Sequence, residues 1–302
     1  MRRISFAATQ MACSKDTENN ILNAEKIVRK AKKMGADVVL LQELFSNLYF
    51  MQEYDLKNFD LACEEESSPL LVRMSALAKE LEVVLPVNFF EKAGKVFYNS
   101  VVVFDVDGKK LGKYRKTHIP DDPGYYEKYY FSPGDTGFKV FSSKLCKIGI
   151  GICWDQWFPE AARCMCLQGA EVLMYPTAIG TAAVRFDQLK TQVIDKGVQG
   201  YMHWRNAMIG HSAANMVPVL ASNRIGDEYV GDTAIKFYGA SFITDELGNL
   251  KEEADTSTET ILLHTFDLDS LAEKRREGLF FRDRRPDKYK TLFTLDGENS
   301  AL

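Results

Sequence analysis

The segment "ADVVLLQE", residues 36–43, constrains the fold more than any other stretch of the chain. Val38 to Leu41 run without a polar interruption, the pattern of a strand covered on both faces rather than half exposed. Such a strand needs a layer above it and a layer below. The rest of the chain supplies them by alternating strand-like and helix-like segments from end to end.

Strands are predicted at "RISFAATQM", "VVLPVNFFE", "GFKVF", "CKIGIGIC", "EVLMYPT", "VPVLASN", "GASFITDELGNLKEE" and "TILLHTFDL". "VFYNSVVVFDVDGKKLGKYRK" reads as a hairpin turning at Asp107-Gly108, its second arm ending at Lys116. One helix starts at Asp16 or Thr17 and carries Ile21, Ala24, Ile27, Val28, Ala31 and Met34 at helical spacing. A second starts at Ser68-Pro69, a third runs from Pro159 to about Gly169, a fourth covers 203–215, and "DSLAEKRRE" is a last short one. Residues 117–137 form a long loop rich in Pro, Gly, Asp and Tyr, a length that often carries function. Residues 178–200 show no decisive period. The alternation implies α/β architecture, a mixed sheet with outer helices. Two such sheets face to face would give an α–β–β–α sandwich, which periodicity alone leaves open. With no linker, repeat or low-complexity segment, residues 1–302 read as one domain.

Composition excludes several classes. A formal net charge of −4 lacks the basic stripe of a nucleic-acid surface and the polybasic cluster of a membrane anchor. No apolar stretch approaches transmembrane length, and the run after Arg2-Arg3 is broken by Thr9 and Gln10, a poor signal-peptide core. Six cysteines in 302 residues do not make a disulfide scaffold, and the four histidines show no metal-ligand spacing. A reduced cytoplasmic protein without bound metal is the expectation.

Cys153 stands where "GIGIC" stops and a helix is about to begin at Pro159. A sharp strand-to-helix turn can present a nucleophile and offer backbone N–H groups to an oxyanion. The other cysteines read as ordinary core thiols. A thiol nucleophile needs a base. His118 follows a strand end, but Glu43 and Lys116 also sit at the ends of buried strands. Each charge alone reads better as a solvated strand end; their joint appearance beside Cys153 reads as a site. A carboxylate there can act as base and then acid, and an ammonium can stabilise thiolate and oxyanion.

Glu43 in "LLQELF", Lys116 in "YRKTHIP" and Cys153 in "GICWDQWFPE" resemble the Glu–Lys–Cys triad of the nitrilase, or carbon–nitrogen hydrolase, superfamily. The resemblance spans nearly the whole chain. It is sharpest in "KTHIPDDPGYYEKYYFSPGDTGFKVF", "GICWDQWFPEAAR", "ASNRIG" and "FRDRRPDKY", and within the superfamily it is similar to the branch acting on N-carbamoylputrescine. It implies the four-layer α–β–β–α sandwich, Glu43 as the base, Cys153 as the nucleophile that becomes a carbamoyl thioester, and Lys116 with the backbone N–H of Trp154 as oxyanion holders. Glu127 matches a second glutamate that many members place beside the lysine; alone it reads as a loop carboxylate. The implied chemistry needs no metal or organic cofactor. The implied partners are a small carbamoyl amine and further copies of the chain, a homo-oligomer of dimeric units, with the tail at 279–302 crossing to a neighbouring subunit.

Two stretches depart from that branch. After the glutamate it usually reads "ELFEGYYF", where this chain has Ser46 and Asn47; after "YPTAIG" it usually continues "SEP", where this chain continues "TAAVRFDQLKTQVIDKG". A diamine tail calls for oxygen acceptors. Asp187 or Asp195 could supply one from the divergent stretch, or be solvated loop charges. Tyr125, Tyr126, Trp154 and Trp157 could line a channel for a butyl chain, or be core. Arg185 would suit a carboxylate-bearing substrate such as N-carbamoyl-β-alanine; an ω-amide is a further alternative. A catalytically silent scaffold is the remaining reading, against which the intact triad speaks.

Overall fold

A computed structural model describes residues 1–187, 190–193 and 198–298; for 183–193 and 198–199 the description is of the backbone. The first third comprises β1 (Arg3–Ala12), α1 (Thr17–Lys33), β2 (Val38–Leu40), α2 (Pro69–Leu81), β3 (Leu85–Ala93) and β4 (Val96–Phe104). The middle comprises β5 (Lys110–Arg115), α3 (Glu127–Tyr130), β6 (Val140–Ser142), β7 (Lys147–Ile150), α4 (Pro159–Leu167), β8 (Val172–Pro176), β9 (Gly180–Asp187), β10 (Lys190–Val193) and α5 (Val198–Asn215). The remainder comprises β11 (Val219–Ser222), β12 (Arg224–Val230), β13 (Thr233–Tyr238), β14 (Phe242–Thr244), β15 (Leu250–Glu253), β16 (Thr260–Asp267) and α6 (Leu268–Gly278).

These strands form two large sheets. One runs β10-β9-β13-β12-β1-β16, with β2 also on β1, and reaches the antiparallel set β3-β4-β5 through a bridge between Val38 and Val84. The other runs β15-β14-β11-β8-β7-β6. Strand alternation builds the layers. Phe6, Ala8, Val38 and Leu40 point to one side and meet Ile148, Ile150, Met174 and Leu220 of the second sheet. Ala7, Met11, Val39 and Leu41 point to the other and meet Ile21, Ala24 and Val28 of α1 and Leu70, Met74 and Leu77 of α2. On the far side of the second sheet, Leu173, Tyr175, Val219 and Ala221 meet Ala162 and Met165 of α4 and Trp204 and Met208 of α5. The result is the expected α–β–β–α sandwich, and the uninterrupted apolar run of β2 is explained by cover on both faces.

Local chemistry fixes the helix starts. Asp16, not Thr17, caps α1 by accepting from Asn19 N–H at 3.0 Å. Ser68 caps α2, with Pro69 in its first turn. Two regions differ from the sequence reading. Residues 180–193 form the β9–β10 hairpin and α5 begins at Val198, five residues before the expected start. The β12–β13 hairpin was invisible to the pattern because charges Asp227, Glu228 and Lys236 interrupt it, yet Glu228 is buried against Arg224 at 2.8 Å. All six cysteines are free, and among the described residues no helix is long and apolar enough to cross a membrane.

Candidate active site

Three strand ends converge at one end of the sandwich. Glu43 lies three residues beyond β2, Lys116 follows β5, and Cys153 opens a short 3-10 turn, Cys153–Trp157, after β7. Cys153 has φ +40°, a left-handed backbone that a non-glycine residue adopts only when its surroundings hold it. Close approach beneath it requires glycine: a Cβ on Gly151 would lie 2.6 Å from the Tyr175 ring.

Lys116 and Glu43 are fully buried and in contact. Lys116 Nζ donates to Glu43 Oε1 at 2.9 Å and to Glu127 Oε2 at 2.7 Å. Glu127 is thus an interior partner of the lysine rather than a loop carboxylate. Asn99 donates to Glu43 Oε1 at 2.7 Å, and Asn88 donates in turn to Asn99. Tyr49 donates to Glu127 Oε1 at 2.6 Å. These bonds occupy Oε1 of Glu43, whereas its buried Oε2 has no partner among the described residues. Below, Arg224 donates to the carbonyls of Glu43, Leu44 and Asn47 and fixes that segment.

Electrostatics follow from burial. Burial alone would depress Lys116, but the Glu127 and Glu43 carboxylates outweigh it and hold the ammonium well above its ordinary range. Burial, aided by the Glu43 charge, pushes Glu127 up against the opposing pull of Lys116. Burial and the Glu43 charge also push the Cys153 thiol well above its ordinary value, with Lys116 opposing. Both effects favour the thiol over the thiolate; its Sγ lies 3.8 Å from the carbonyl oxygen of Ala178.

Asp155 ties the cysteine turn to the lysine loop. Its Oδ1 accepts from His118 N–H at 3.0 Å and from His118 Nδ1 at 2.7 Å; its Oδ2 accepts from Tyr114 O–H at 2.6 Å and Ile152 N–H at 2.9 Å. Tyr114 and His118 bracket Lys116, and Ile152 and Asp155 bracket Cys153, so one buried carboxylate sets the spacing of both. His118 is engaged here and stacks on Phe158. An amide at 155 would face at least two of these donors with its own N–H groups. Asp155→Asn is therefore expected to lower kcat about 100-fold, the scale of an ångström misplacement, with a much smaller change in KM, checked by steady-state kinetics.

A cavity of about 330 Å³ opens beside Cys153, lined by Trp154, Trp157, Tyr125, Glu127, Asp122 and His203 among others. Tyr125, Trp154 and Trp157 thus meet at the cavity, while Tyr126 does not and stacks on Tyr54 instead. Ser46 and Asn47 also do not line it: both are buried, Asn47 Oδ1 accepting from Thr17 O–H and Asn47 O from Arg224. That departure from the branch pattern therefore lies in the scaffold. Asp195 lies outside the described residues, as do the side chains of Asp187 and Arg185. A larger cavity of about 850 Å³ lies between α4, α5 and the tail and contains none of Glu43, Lys116 and Cys153.

Sequence reading missed Asn99, Tyr49, Arg224, Asp155, Asp122 and His203. Asn99 carried a signal, a lone amide inside the apolar strand "YNSVVVF". Arg224 and Asp155 lay inside quoted motifs without an assigned part.

Residues 5–276 match the carbon-nitrogen hydrolase family. An N-carbamoylputrescine amidase of Solanum lycopersicum is 52% identical over 302 residues, 99% of this chain and 97% of that protein. A citrullinase of Francisella tularensis subsp. tularensis is 46% identical over 97% of this chain and 99% of its own. The crystal structure of a carbon-nitrogen hydrolase from Helicobacter pylori G27 matches with a TM-score of 0.88 at 39% identity, over 97% of this chain and 99% of that one. Full-length similarity, a shared sandwich and the converging strand ends agree: the chain belongs to the carbon–nitrogen hydrolase family, the nitrilase superfamily.

Proposed function

We propose that the protein hydrolyses N-carbamoylputrescine to putrescine, carbon dioxide and ammonia through a thioester on Cys153. The observation that carries the mechanism is the asymmetry of Glu43: Oε1 is fixed by Asn99 and Lys116, and Oε2 is buried without a partner. A buried oxygen left unpaired calls for a function, and here it is the acceptor for the Cys153 proton. As Glu43 takes that proton, sulfur attacks the carbamoyl carbon and the carbonyl electrons move to oxygen. Lys116, with two of its three donors spent on carboxylates, turns the third to the oxyanion together with the Trp154 N–H. Glu43 returns the proton to the departing amine as the C–N bond breaks. Water then gives a proton to Glu43 and attacks the thioester; the C–S bond breaks, Glu43 reprotonates the sulfur, and carbamate falls apart to carbon dioxide and ammonia. Glu127 keeps Lys116 in place and charged.

The wall of the cavity supports a cationic substrate. Its described lining contains the carboxylates Asp122 and Glu127 and no lysine or arginine. Among the described lining residues a carboxylate-bearing urea finds no lysine or arginine counter-ion. The similarity to N-carbamoylputrescine amidases supports the same choice, and that to a citrullinase makes citrulline the second reading. Ammonia release from purified protein is expected to be fastest with N-carbamoylputrescine, ahead of citrulline and N-carbamoyl-β-alanine by at least tenfold in kcat/KM. Faster turnover of either rival would overturn the assignment.

We also read residues 1–302 as one domain in a homo-oligomer built from dimers in the cytoplasm, its tail at 279–302 reaching a neighbouring subunit. The exposure of Phe280, Leu292 and Phe293 in that tail supports this reading.

A further inference from the structure

The cavity has a second charged feature, which the catalytic steps do not use. Residues 122–125 close a tight turn: Tyr125 N–H donates to the Asp122 carbonyl at 2.7 Å, and Asp122 N–H to the Tyr125 carbonyl at 3.3 Å. Pro123 followed by Gly124 at φ +82° is the residue pair that a type II turn asks for. The turn is clamped to the start of β9. Tyr125 O–H donates to the Gly180 carbonyl at 2.9 Å and accepts from the Gly180 N–H at 3.0 Å. Gly124 lies so close to Ala182 that a Cβ there would sit 3.1 Å from the alanine Cβ.

This mount carries Asp122 at the cavity wall. Its carboxylate is exposed and makes no hydrogen bond or ion pair with any described residue. Glu127, the other carboxylate of the lining, is consumed by Lys116 and Tyr49. Asp122 is thus the one uncompensated carboxylate among the described lining residues, held on a rigid turn in a cavity whose opposite requirement, a reacting urea at Cys153, is already met. We propose that Asp122 is the specificity-determining residue that receives the distal ammonium of the substrate. The proposal rests on the reading that the site hydrolyses a carbamoyl amine. It places an amine contact on the lysine loop. Asp122 is exposed, so its pairing with the ammonium is that of a solvent-accessible ion pair, worth about tenfold in affinity at most.

The test compares N-carbamoylputrescine with butylurea, which has the same chain and no ammonium, in the full-length protein and in Asp122→Asn. In the wild type kcat/KM favours the cation. In Asp122→Asn that preference falls about tenfold through KM for the cation, and raising salt erodes the wild-type preference but not the variant's remainder. A charge reversal, Asp122→Lys, lowers the preference further. An unchanged preference in both variants overturns the proposal, and so does an equal rise in KM for both ureas, which is what a merely structural turn would give. If the wild type turns over citrulline and not N-carbamoylputrescine, the substrate reading fails separately. Asp122 is then judged by citrulline against 5-ureidopentanoate, which lacks only the ammonium, with the same two outcomes.

Discussion

Cys153→Ser is expected to abolish ammonia release, by about 10⁴-fold or more in kcat, while the protein stays folded. Serine has nearly the shape of cysteine and tolerates the left-handed backbone equally, so the turn at φ +40° is preserved and the thermal transition shifts little. The chemistry is not preserved. In the proposed mechanism the proton comes from a thiol whose pKa burial has already raised; a hydroxyl is a far weaker acid in the same place. Intact-mass analysis provides the second readout: the wild type, quenched during turnover, carries a carbamoyl adduct at Cys153, and the variant carries none. Wild-type activity in the serine variant would contradict the mechanism outright.

Lys116→Met is the variant with the largest expected cost in stability. The ammonium sits between two carboxylates, and all three side chains are excluded from solvent. Removing it leaves Glu43 and Glu127 facing each other with no counter-ion, a loss of about 3–5 kcal/mol for a broken buried pair. The pH dependence has a definite sign. Burial and Glu43 already raise the folded-state pKa of Glu127, and Lys116 is what opposes them. Without the lysine the carboxyl rises further above its unfolded value, so the folded variant binds the extra proton more tightly than the unfolded chain. Its stability is then greatest at low pH and is lost as pH rises from the unfolded carboxyl range through the raised folded one. Urea melts at pH 5 and pH 8 check this: the deficit against wild type is smaller at pH 5. An equal deficit at both values would show that the carboxylates are not the source. Activity is lost at either pH.

The layered fold was legible because burial on two faces leaves a mark on every residue of a strand. Val38 to Leu41 could be read as interior without knowing what covered them. The candidate catalytic residues could be picked out for a related reason, since a charge ending an apolar run is conspicuous. Their supports were not. Asn99 meets Glu43 across 56 positions, Tyr49 meets Glu127 across 78, and Arg224 reaches the Glu43 carbonyl across 181. No local period encodes such meetings; the order of strands in the sheets creates them. Asp155 was hidden differently. It stood beside the cysteine in the quoted motif, but its importance lies in reaching Tyr114 and His118, which only the packing of β5 against β7's turn reveals. The hairpin from β12 to β13 escaped because Glu228 is both charged and interior, compensated by Arg224 four residues earlier. A pattern that equates charge with surface cannot see a pair that neutralises itself.

The pairing of the first strand with the last bears on how the enzyme is made. β1 pairs antiparallel with β16 along eight residues, from Arg3 with Asp267 to Gln10 with Thr260, and its far end pairs with β12. A ribosome delivers the N-terminal partner first and its mate almost a whole chain later. Until residue 267 has emerged, β1 lacks one edge, and until residue 224 has emerged the Glu43 segment lacks its guanidinium clamp. The surroundings of β1 and of the Glu43 segment are therefore complete only once the chain through residue 267 is available. Long-range closure of this kind slows folding in general and leaves a strand edge unpaired until its mate arrives.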